Sequence, residues 1–598
     1  MDQALKDSIV KKPGAWGVFA PVKGKIYFGI FLGALSSAFV IVTMVSFAWV
    51  IDILLHDRAD IWLWVGLAFT FTILGLATKL AAFTISHLGA FKLEEVLRTG
   101  LSDHLAKVPL GFLVQKGSGS ISKVIQDDVK TLHAFVADST PFYGRSIAMP
   151  LITLILLIVI DWRMALAALG VLFISMIPMS YAMRDHKELS RRYTQEKENI
   201  NNTVIEFVQA MPVIRTFDDG SSSFGRYQEA LKGYRGLFIE WLEKAGVSTK
   251  FAMILLSPLA TLLALFVIGA LFYANGAIAF STWLAILLIG AGLVESIMPL
   301  MWLNEFIRNA NASAKRIQAL LQEPILPITE NPQEPKDASI EFENVTFSYG
   351  DRGQNALEDV SFIVPSGSVS ALVGPSGAGK STVAKLIPRF WDIDKGTIKI
   401  GGVDVRDMSS ETLMNNVSFV FQDTFLFHDT LANNIKLGLD NTTQADIEEA
   451  AKAAQAHEFI LQLPDGYETV AGDRGARLSG GQRQRITIAR AILQKRPIVV
   501  LDEATAFADP ENEAALIKAL SNLMKDRTVI VIAHRLATIK DADEIVVFDH
   551  GKISEKGKHQ QLVENKGVYA KLWSNYEQAQ GWSLSNHIEE QSQQKAGV

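Results

Sequence analysis

Long uncharged runs of hydrophobic residues mark the first half of the chain. No charged side chain lies between Lys25 and Asp52, and none lies between Phe251 and Val294. A helix rises about 1.5 Å per residue, so about 20 apolar residues cross a hydrocarbon core of roughly 30 Å. The first run therefore predicts one membrane-spanning helix, and the second run predicts two.

Three more apolar segments lie between these runs. One begins at Ile61, and the other two occupy about 142–160 and 164–183. Only the turn Asp161–Arg163 separates the last pair, and Ala274–Gly276 divides the second uncharged run. Soluble helices rarely remain free of charge over such lengths, so the pattern predicts six spans in all.

Lysines and arginines predict how these spans are oriented. They are concentrated in the N-terminal segment and in two long loops at about 92–138 and 184–250, while the other connections are short. Basic loops are retained on the cytoplasmic side of a membrane. We therefore expect a multi-pass protein of the cell inner (plasma) membrane, with both termini and both long loops in the cytoplasm.

The pattern changes after the last span. A proline-containing stretch at 323–339 predicts a linker, and from 340 onwards short β-rich runs alternate with helical stretches. The predicted strands are 340–347, 370–373, 417–421, 498–501, 529–532 and 544–548. The predicted architecture is an α-helical membrane bundle of six spans (1–322), the linker, an α/β P-loop nucleotide-binding domain (340–578) and a polar tail (579–598).

Composition narrows the function classes. The 598 residues are 49% hydrophobic and carry a net charge of -6, so nothing suggests a basic surface that would hold nucleic acid. The absence of cysteine excludes disulfides, thiolate metal sites and a cysteine nucleophile. A membrane protein without nucleic-acid partners or redox chemistry is the class that remains.

A glycine-rich motif provides the first candidate site. It follows the strand 370–373 and precedes a helical run, which is the context of a phosphate-binding P-loop. Its backbone N–H groups would surround phosphate oxygens, Lys380 would neutralise their charge and the Ser381 hydroxyl would bind Mg²⁺. The predicted ATP-binding residues are Gly374, Pro375, Ser376, Gly377, Ala378, Gly379, Lys380, Ser381 and Thr382.

Two carboxylates follow the predicted strand 498–501. Asp502 suits the coordination shell of Mg²⁺, and Glu503 suits the polarisation of an attacking water molecule. A strand that ends in Asp-Glu is a weak signal alone. It gains weight because the P-loop precedes it in the chain, and together they predict ATP and Mg²⁺ as cofactors.

A third motif, Leu478-Ser479-Gly480-Gly481-Gln482, precedes the helical stretch 483–493 and would let an anion approach the backbone closely. At this point the chain resembles the ATP-binding cassette (ABC) transporter family, whose signature it matches letter for letter. The resemblance covers almost the whole chain and implies the exporter fold. In that family two cassettes meet head to tail, so the motif would close on ATP held by a partner half.

The resemblance implies roles for further residues. Tyr349 would stack on adenine, Gln422 would link Mg²⁺ to the membrane domain, and His534 would contact the γ-phosphate. The segments 108–119 and 207–217 resemble the coupling helices of the exporter fold. The implied catalytic residues are Glu503, His534 and Gln422, and the implied metal ligands are Ser381, Gln422 and Asp502.

One motif departs from the family pattern. After the carboxylates the family commonly has Ser-Ala-Leu-Asp, whereas this chain has Ala506-Phe507-Ala508-Asp509. The aspartate is kept, but a hydroxyl is lost and a bulky ring is gained, which puts communication between two ATP sites in doubt. By contrast, Gly472–Gly475 resembles the X-loop that is typical of the exporter fold.

Ionisable residues inside the spans indicate a substrate pocket. A charge at mid-membrane costs about 2.5–3.5 kcal/mol and usually faces a cavity. Lys79, His87 and Glu295 are the candidates, although Lys79 and His87 could equally extend to an interface or pair structurally.

The substrate class stays open between several interpretations. Four features are similar to the paired half-transporters that import iron siderophores: the 506–509 loop, Pro178, the Glu295 region and the stretch 205–217. The alternatives are an exporter of lipids, peptides or drugs, an ATP-gated channel, and a membrane-associated cassette ATPase acting on nucleic acid. The fused spans oppose the last of these. The expected partners are a second ABC half-transporter, identical or different, the lipid bilayer and a small molecule such as a ferric siderophore.

Overall fold

A computed structural model describes residues 9–55, 61–184, 186–217, 221–295, 297–327, 329–350, 355–502, 510–533 and 536–580. The chain divides into two compact units. The membrane unit comprises Met1–Ala106 and Ser118–Glu323, and the cassette unit comprises Lys107–Gly117 and Pro324–Val598. Lys107–Gly117 thus packs with the cassette although it interrupts the membrane unit in sequence. The four domain bounds expected from the sequence stay predictions.

Helices occupy most of the described chain up to the linker. They are α1 (Ala15–Val18), α2 (Lys23–Leu55), α3 (Ile61–Leu105), α4 (Leu110–Lys116), α5 (Ser118–Lys123), α6 (Val129–Ala134), α7 (Thr140–Ala182), α8 (His186–Gln209), α9 (Met211–Phe217), α10 (Ser221–Leu255), α11 (Pro258–Ala274), α12 (Phe280–Glu295) and α13 (Ile297–Leu321). A 3₁₀ turn lies at Ala20–Val22, and π-helical turns lie at Val124–Asp128 and Phe135–Ser139. Of these helices, α4 belongs to the cassette unit.

Three helical stretches of the described chain are long and apolar enough to cross a membrane: Ala20–Leu55, Ile61–Leu105 and Ser118–Ala182. A fourth is added if the bent pair Gly225–Leu255 and Pro258–Ala274 counts as one span. The 65-residue stretch contains a non-helical residue, Asp161, at the turn expected between the third and fourth spans. The total of six spans stays a prediction.

Proline explains where the observed helices depart from the expected ones. The consecutive helices α10 and α11 are bent by 52° relative to each other. The helix is interrupted there because Pro258 lacks the N–H that a continuing helix would need. Proline also separates two helices in the first long loop. Helix α3 ends at Leu105, and α4 starts after Pro109, whose φ of -53° and ψ of 133° are extended rather than helical.

Glycines permit close crossings within the membrane unit. A Cβ at Gly144 of α7 would overlap the carbonyl oxygen of Ile30 in α2, and a Cβ at Gly33 would overlap that of Pro141. The Ser36 hydroxyl donates to the carbonyl oxygen of Gly75 in α3 at 2.9 Å. Small residues at helix contacts are typical of membrane bundles, where close backbone approach replaces the hydrophobic effect.

The cassette unit contains two sheets. Its strands are β1 (Ile340–Phe347), β2 (Leu357–Val364), β3 (Val369–Val373), β4 (Lys395–Ile400), β5 (Val403–Asp404), β6 (Val417–Val420), β7 (Ile498–Asp502), β8 (Thr528–Ile532), β9 (Glu544–Asp549) and β10 (Lys552–Gly557). Its later helices are α14 (Lys380–Leu386), α15 (Ser410–Asn416), α16 (Leu431–Lys436), α17 (Gln444–Ala453), α18 (His457–Leu461), α19 (Gly480–Leu493), α20 (Pro510–Met524), α21 (His559–Glu564) and α22 (Val568–Gln580). The six expected strands are present to within one residue at each end, whereas β2, β4, β5 and β10 were not predicted.

Strand order positions the candidate site. The smaller sheet has the order β2-β1-β4-β5 and is antiparallel, and the larger sheet has the order β10-β9-β3-β8-β7-β6. Within the larger sheet, β3 pairs in parallel with β8, and β8 pairs in parallel with β7. The carboxyl ends of β3, β8 and β7 therefore lie at one edge, which is where ligands bind in open α/β sheets.

Candidate nucleotide site

The glycine-rich motif forms a tight loop between β3 and α14. Gly374, Gly377 and Gly379 have φ angles of 148°, 82° and 103°, a region that side chains rarely tolerate. A Cβ at Gly374 would also overlap the carbonyl oxygen of Phe548 in β9. Only glycine fits there, so the loop has the sharp backbone curve that presents N–H groups to a phosphate.

Lys380 places its charge at the centre of that loop. Its side chain is buried, and its ammonium donates to the carbonyl oxygens of Gly374 and Pro375, both at 2.8 Å. The loop carbonyls thus hold the ammonium within the loop, and its contact with the phosphates of a nucleotide stays a prediction. Lys380 is also the first residue of α14, so its charge adds to the positive end of a helix.

Two of the three predicted metal ligands lie side by side. Asp502, the last residue of β7, is buried, and its Oδ1 accepts a hydrogen bond from the Ser381 hydroxyl at 3.3 Å. A carboxylate and a hydroxyl are the hard oxygen donors that Mg²⁺ prefers, so this pair fits the ion. Gln422, the third candidate, is exposed in the loop after β6.

Tyr349 is fixed by an aromatic cluster beside the P-loop. Its hydroxyl donates to the Thr382 hydroxyl at 3.0 Å, and its ring lies edge-to-face against Phe347 at 4.9 Å and Trp391 at 5.1 Å. Burial raises the pKa of Tyr349, so the phenol stays protonated at neutral pH. The role in adenine stacking stays a prediction. Phe347 and Trp391, which orient the ring, were missed because neither belongs to a motif.

The signature residues begin helix α19. The Ser479 hydroxyl accepts from the N–H of Gln482 at 3.3 Å, and the Gln482 side chain accepts from the N–H of Ser479 at 2.9 Å. This reciprocal capping box fixes the helix start. Leu478 and Gly481 are buried, whereas Ser479 is exposed, so the motif presents its serine outward at a positive helix end.

The two residues expected to activate water and contact the γ-phosphate lie outside the described residues. Glu503 directly follows Asp502, and His534 directly follows Ala533, beyond the end of β8. The variant loop Ala506–Asp509 lies outside them as well. Their roles therefore stay predictions that rest on the positions of β7 and β8.

Comparison with known proteins identifies the family. Residues 26–297 match the family model of the ABC transporter transmembrane region, and residues 357–506 match that of the ABC transporter cassette. The ATP-dependent lipid A-core flippase of Legionella pneumophila (strain Philadelphia 1) is 34% identical over 84% of this chain and 85% of its own length.

This chain belongs to the ABC transporter family. Other relatives are the mycobactin import ATP-binding/permease proteins IrtA of Mycobacterium tuberculosis, 39% identical over 82% of this chain, and of Mycolicibacterium smegmatis, 36% identical over 93%. The chain spans 57% and 64% of their lengths. The solved structure of a bacterial Atm1-family ABC exporter with ATP bound matches 94% of this chain with a TM-score of 0.73 and 25% identity.

These matches confirm several predictions at the level of the family. The exporter fold and the resemblance to siderophore-importing half-transporters are confirmed, and the match over residues 357–506 agrees with the expected ABC-type ATPase domain. The chain is an ATP-binding membrane protein of a family whose half-transporters function as dimers.

The ABC cassette also holds the first expected coupling segment. The N–H of Gly111 in α4 donates to the carbonyl oxygen of Phe390 at 3.0 Å, and the N–H of Leu326 donates to the carbonyl oxygen of Lys107 at 3.2 Å. A Cβ at Gly111 would overlap the indole of Trp391. Since Trp391 also contacts Tyr349, one indole joins the coupling segment to the expected adenine platform.

Replacement of Lys380 by alanine should abolish ATP binding, because the phosphates lose the one point charge at the centre of the loop. Binding of a fluorescent ATP analogue to the purified protein would measure the loss. Lys385→Ala, at the other end of the same short helix, is the matched control and should bind normally. Normal binding by Lys380→Ala would contradict the P-loop assignment.

Substitutions of Tyr349 should separate its ring from its hydroxyl. Tyr349→Phe removes only the bond to Thr382, which forms within the protein, and should change the Kd for ATP by less than about threefold, which corresponds to the lower end of the net value of one hydrogen bond, about 0.5 kcal/mol. Tyr349→Ala should raise the Kd about tenfold, because base stacking on an aromatic ring contributes about 1–3 kcal/mol. Equal effects of both changes would show that the ring does not stack on the base.

Gly111→Val should disturb the nucleotide site from the coupling segment. The added side chain cannot fit beside Trp391, so the indole and the Tyr349 ring that it contacts should shift. A shifted ring would lose part of the about 1–3 kcal/mol that base stacking contributes, so we expect the Kd for ATP to rise about two- to tenfold. Gly119→Val is the control, since nothing lies within 4 Å of a Cβ there.

Trp391→Ala should make room for the valine, so the double variant Gly111→Val/Trp391→Ala should bind ATP better than the two single effects predict. Strict additivity, or an equal effect of Gly119→Val, would argue against transmission through the indole.

Proposed function

We propose that this chain is one half of an ATP-hydrolysis-driven importer of iron–siderophore complexes. It would work in the inner membrane, with its cassette in the cytoplasm, as a dimer with a second ABC half-transporter. The observation that carries the proposal is the similarity to two mycobactin import proteins over 82% and 93% of this chain. Direction and substrate class both come from those relatives.

The nucleotide site supports turnover as the energy source. Lys380 would neutralise the phosphates, and Ser381 with Asp502 would hold Mg²⁺, whose charge would stabilise the phosphates during transfer. Glu503 would polarise the attacking water, and His534 would contact the γ-phosphate. Because Leu478–Gln482 would serve the ATP of the partner half, a single chain would hydrolyse ATP slowly until it is paired.

The proposed substrate pocket is only partly supported by the packing of the spans. His87 Nε2 lies 3.9 Å from Asp138 Oδ1, and its ring lies edge-on to the ring of His133, with the centroids 6.4 Å apart. Lys79 is exposed on the same helix, eight residues or about 12 Å away along the axis. The side chain of Glu295, at the end of α12, lies outside the described side chains. A pocket shared by Lys79, His87 and Glu295 stays a proposal, in which His87 would contribute together with Asp138.

Export is the second candidate function. Lipid A-core flippases and the putative multidrug export protein YgaD of Bacillus subtilis are each about 34% identical to this chain over roughly four fifths of it. The exporter fold serves both directions, so fold alone does not separate import from export. The identities of 39% and 36% to two of the mycobactin import proteins exceed those to the flippases and to YgaD, which favours import, whereas a third mycobactin import protein is 34% identical.

Uptake of radiolabelled iron–siderophore distinguishes these functions. Deletion of the gene should abolish uptake by cells grown without iron, and the wild-type chain with its partner half should restore it. Glu503→Gln should bind ATP but fail to restore uptake, since a neutral amide does not polarise water as a carboxylate does.

Lys525→Gln, an exposed change on the cassette surface, is the matched control and should restore uptake fully. Unimpaired uptake in the deletion strain, together with loss of lipid or dye efflux, would reject import and favour the exporter.

A further inference from the structure

The N-terminal segment (residues 9–22) is tied by its backbone to helix α13. The Gln318 side-chain amide donates to the carbonyl oxygens of Ile9 and Lys12, both at 2.7 Å. Its oxygen accepts from the N–H of Gly14 at 2.9 Å. Gln318 is only 5% exposed, so these bonds form in a site from which water is excluded. The segment is therefore held in one fixed position.

Apolar packing fixes the same face of the segment. Ile9, Val18 and Phe19 are almost fully buried, and the Phe19 ring stacks on Phe135 with centroids 5.2 Å apart. The Asn311 side chain, about two helical turns before Gln318, accepts a further bond from the N–H of Ala15 at 2.9 Å. The other face of the segment must therefore point away from the bundle.

That outward face combines lysines with aromatic rings. Lys11 and Lys12 are exposed, Trp16 is 51% exposed, and Trp16 stacks on Tyr27 with centroids 6.3 Å apart. Lys23 lies one helical turn before Tyr27 on α2, hence on the same side of that helix. We call these five residues the basic aromatic patch.

The charges of the patch are not used within the described chain. None of Lys11, Lys12 and Lys23 forms an ion pair or a hydrogen bond through its ammonium with another described residue. All four charged residues between 9 and 51 are lysines, the fourth being Lys25, whose ammonium donates to the carbonyl oxygen of Leu88 at 3.4 Å. The patch is an unbalanced positive surface.

The position of the patch along the first span indicates which kind of molecule it binds. It ends where the uncharged run 26–51 of the first span begins, so it lies at the membrane boundary. Tryptophan and tyrosine prefer this level, and lysines there attract anionic lipids. A nucleic acid or an acidic protein would not contact rings that lie at the level of the lipid headgroups.

We propose that the basic aromatic patch binds the phosphate headgroup of an anionic phospholipid in the adjoining bilayer leaflet. The lysines contact the phosphate, and the Trp16–Tyr27 pair packs on the glycerol and upper acyl region. Because Gln318 fixes the backbone that carries Lys11 and Lys12, these two lysines keep one position beside the first span. The site is independent of the transported solute.

Lipid retention by the purified full-length chain tests the proposal. The protein in mild detergent is titrated with phosphatidylglycerol or with phosphatidylcholine of the same acyl chains, and bound lipid is counted by native mass spectrometry. We expect about a tenfold or greater preference for phosphatidylglycerol, which falls steeply as salt is raised. Lys11→Gln/Lys12→Gln/Lys23→Gln should reduce the preference to less than about twofold.

Two further variants test position against bulk charge. Lys452→Gln/Lys525→Gln/Lys566→Gln removes the same charge from exposed sites on the cassette and should retain the preference. Gln318→Ala keeps every lysine but releases the segment, and it should lose most of the preference while its melting temperature confirms a folded protein.

Three results would overturn the proposal. They are an equal loss in the cassette triple variant, an unchanged preference in the patch triple variant, and displacement of the lipid by millimolar glycerol 3-phosphate, which would indicate a soluble anion as the ligand.

Discussion

Parallel pairing of β3 with β8 and of β8 with β7 is the constraint on which the nucleotide site depends. It brings segments that are more than a hundred residues apart in sequence to one edge of a sheet. The close contact between Ser381 and Asp502 exists only because these strands run in the same direction. A P-loop on its own binds phosphate, but the carboxylate that completes a metal site has to come from another strand.

The aromatic cluster around Trp391 joins the segment Lys107–Gly117 to the nucleotide site within the cassette unit. Gly111 approaches the indole so closely that no larger residue fits, and the indole meets the ring of Tyr349 at 5.1 Å. Closely packed rings cannot absorb a displacement, so a shift of α4 would move the Trp391 indole and with it the ring of Tyr349. The grouping of Lys107–Gly117 with the cassette follows from the same contacts.

In the membrane unit, one side chain likewise fixes a whole segment, the N-terminal one. A single glutamine, Gln318, satisfies backbone groups of Ile9, Lys12 and Gly14 at the end of α13. Helix α13 leads directly into the linker of the cassette, so the segment is fixed to the element that connects the two units. The basic aromatic patch would thus place a membrane-sensitive surface on that connecting helix.

The sequence by itself determined the family, six of the ten described strands of the nucleotide domain and the P-loop, because each depends on local spacing: apolar runs of a given length, or closely spaced glycines between a strand and a helix. Only the tertiary structure decided the rest. Trp391, Phe347, Asp138 and Gln318 belong to no motif, since their roles arise from contacts between residues distant in the chain. The tertiary structure also located the helix breaks at Pro109 and Pro258. Hydrophobic periodicity shows which face of a helix is apolar, but it does not show where the helical backbone is interrupted.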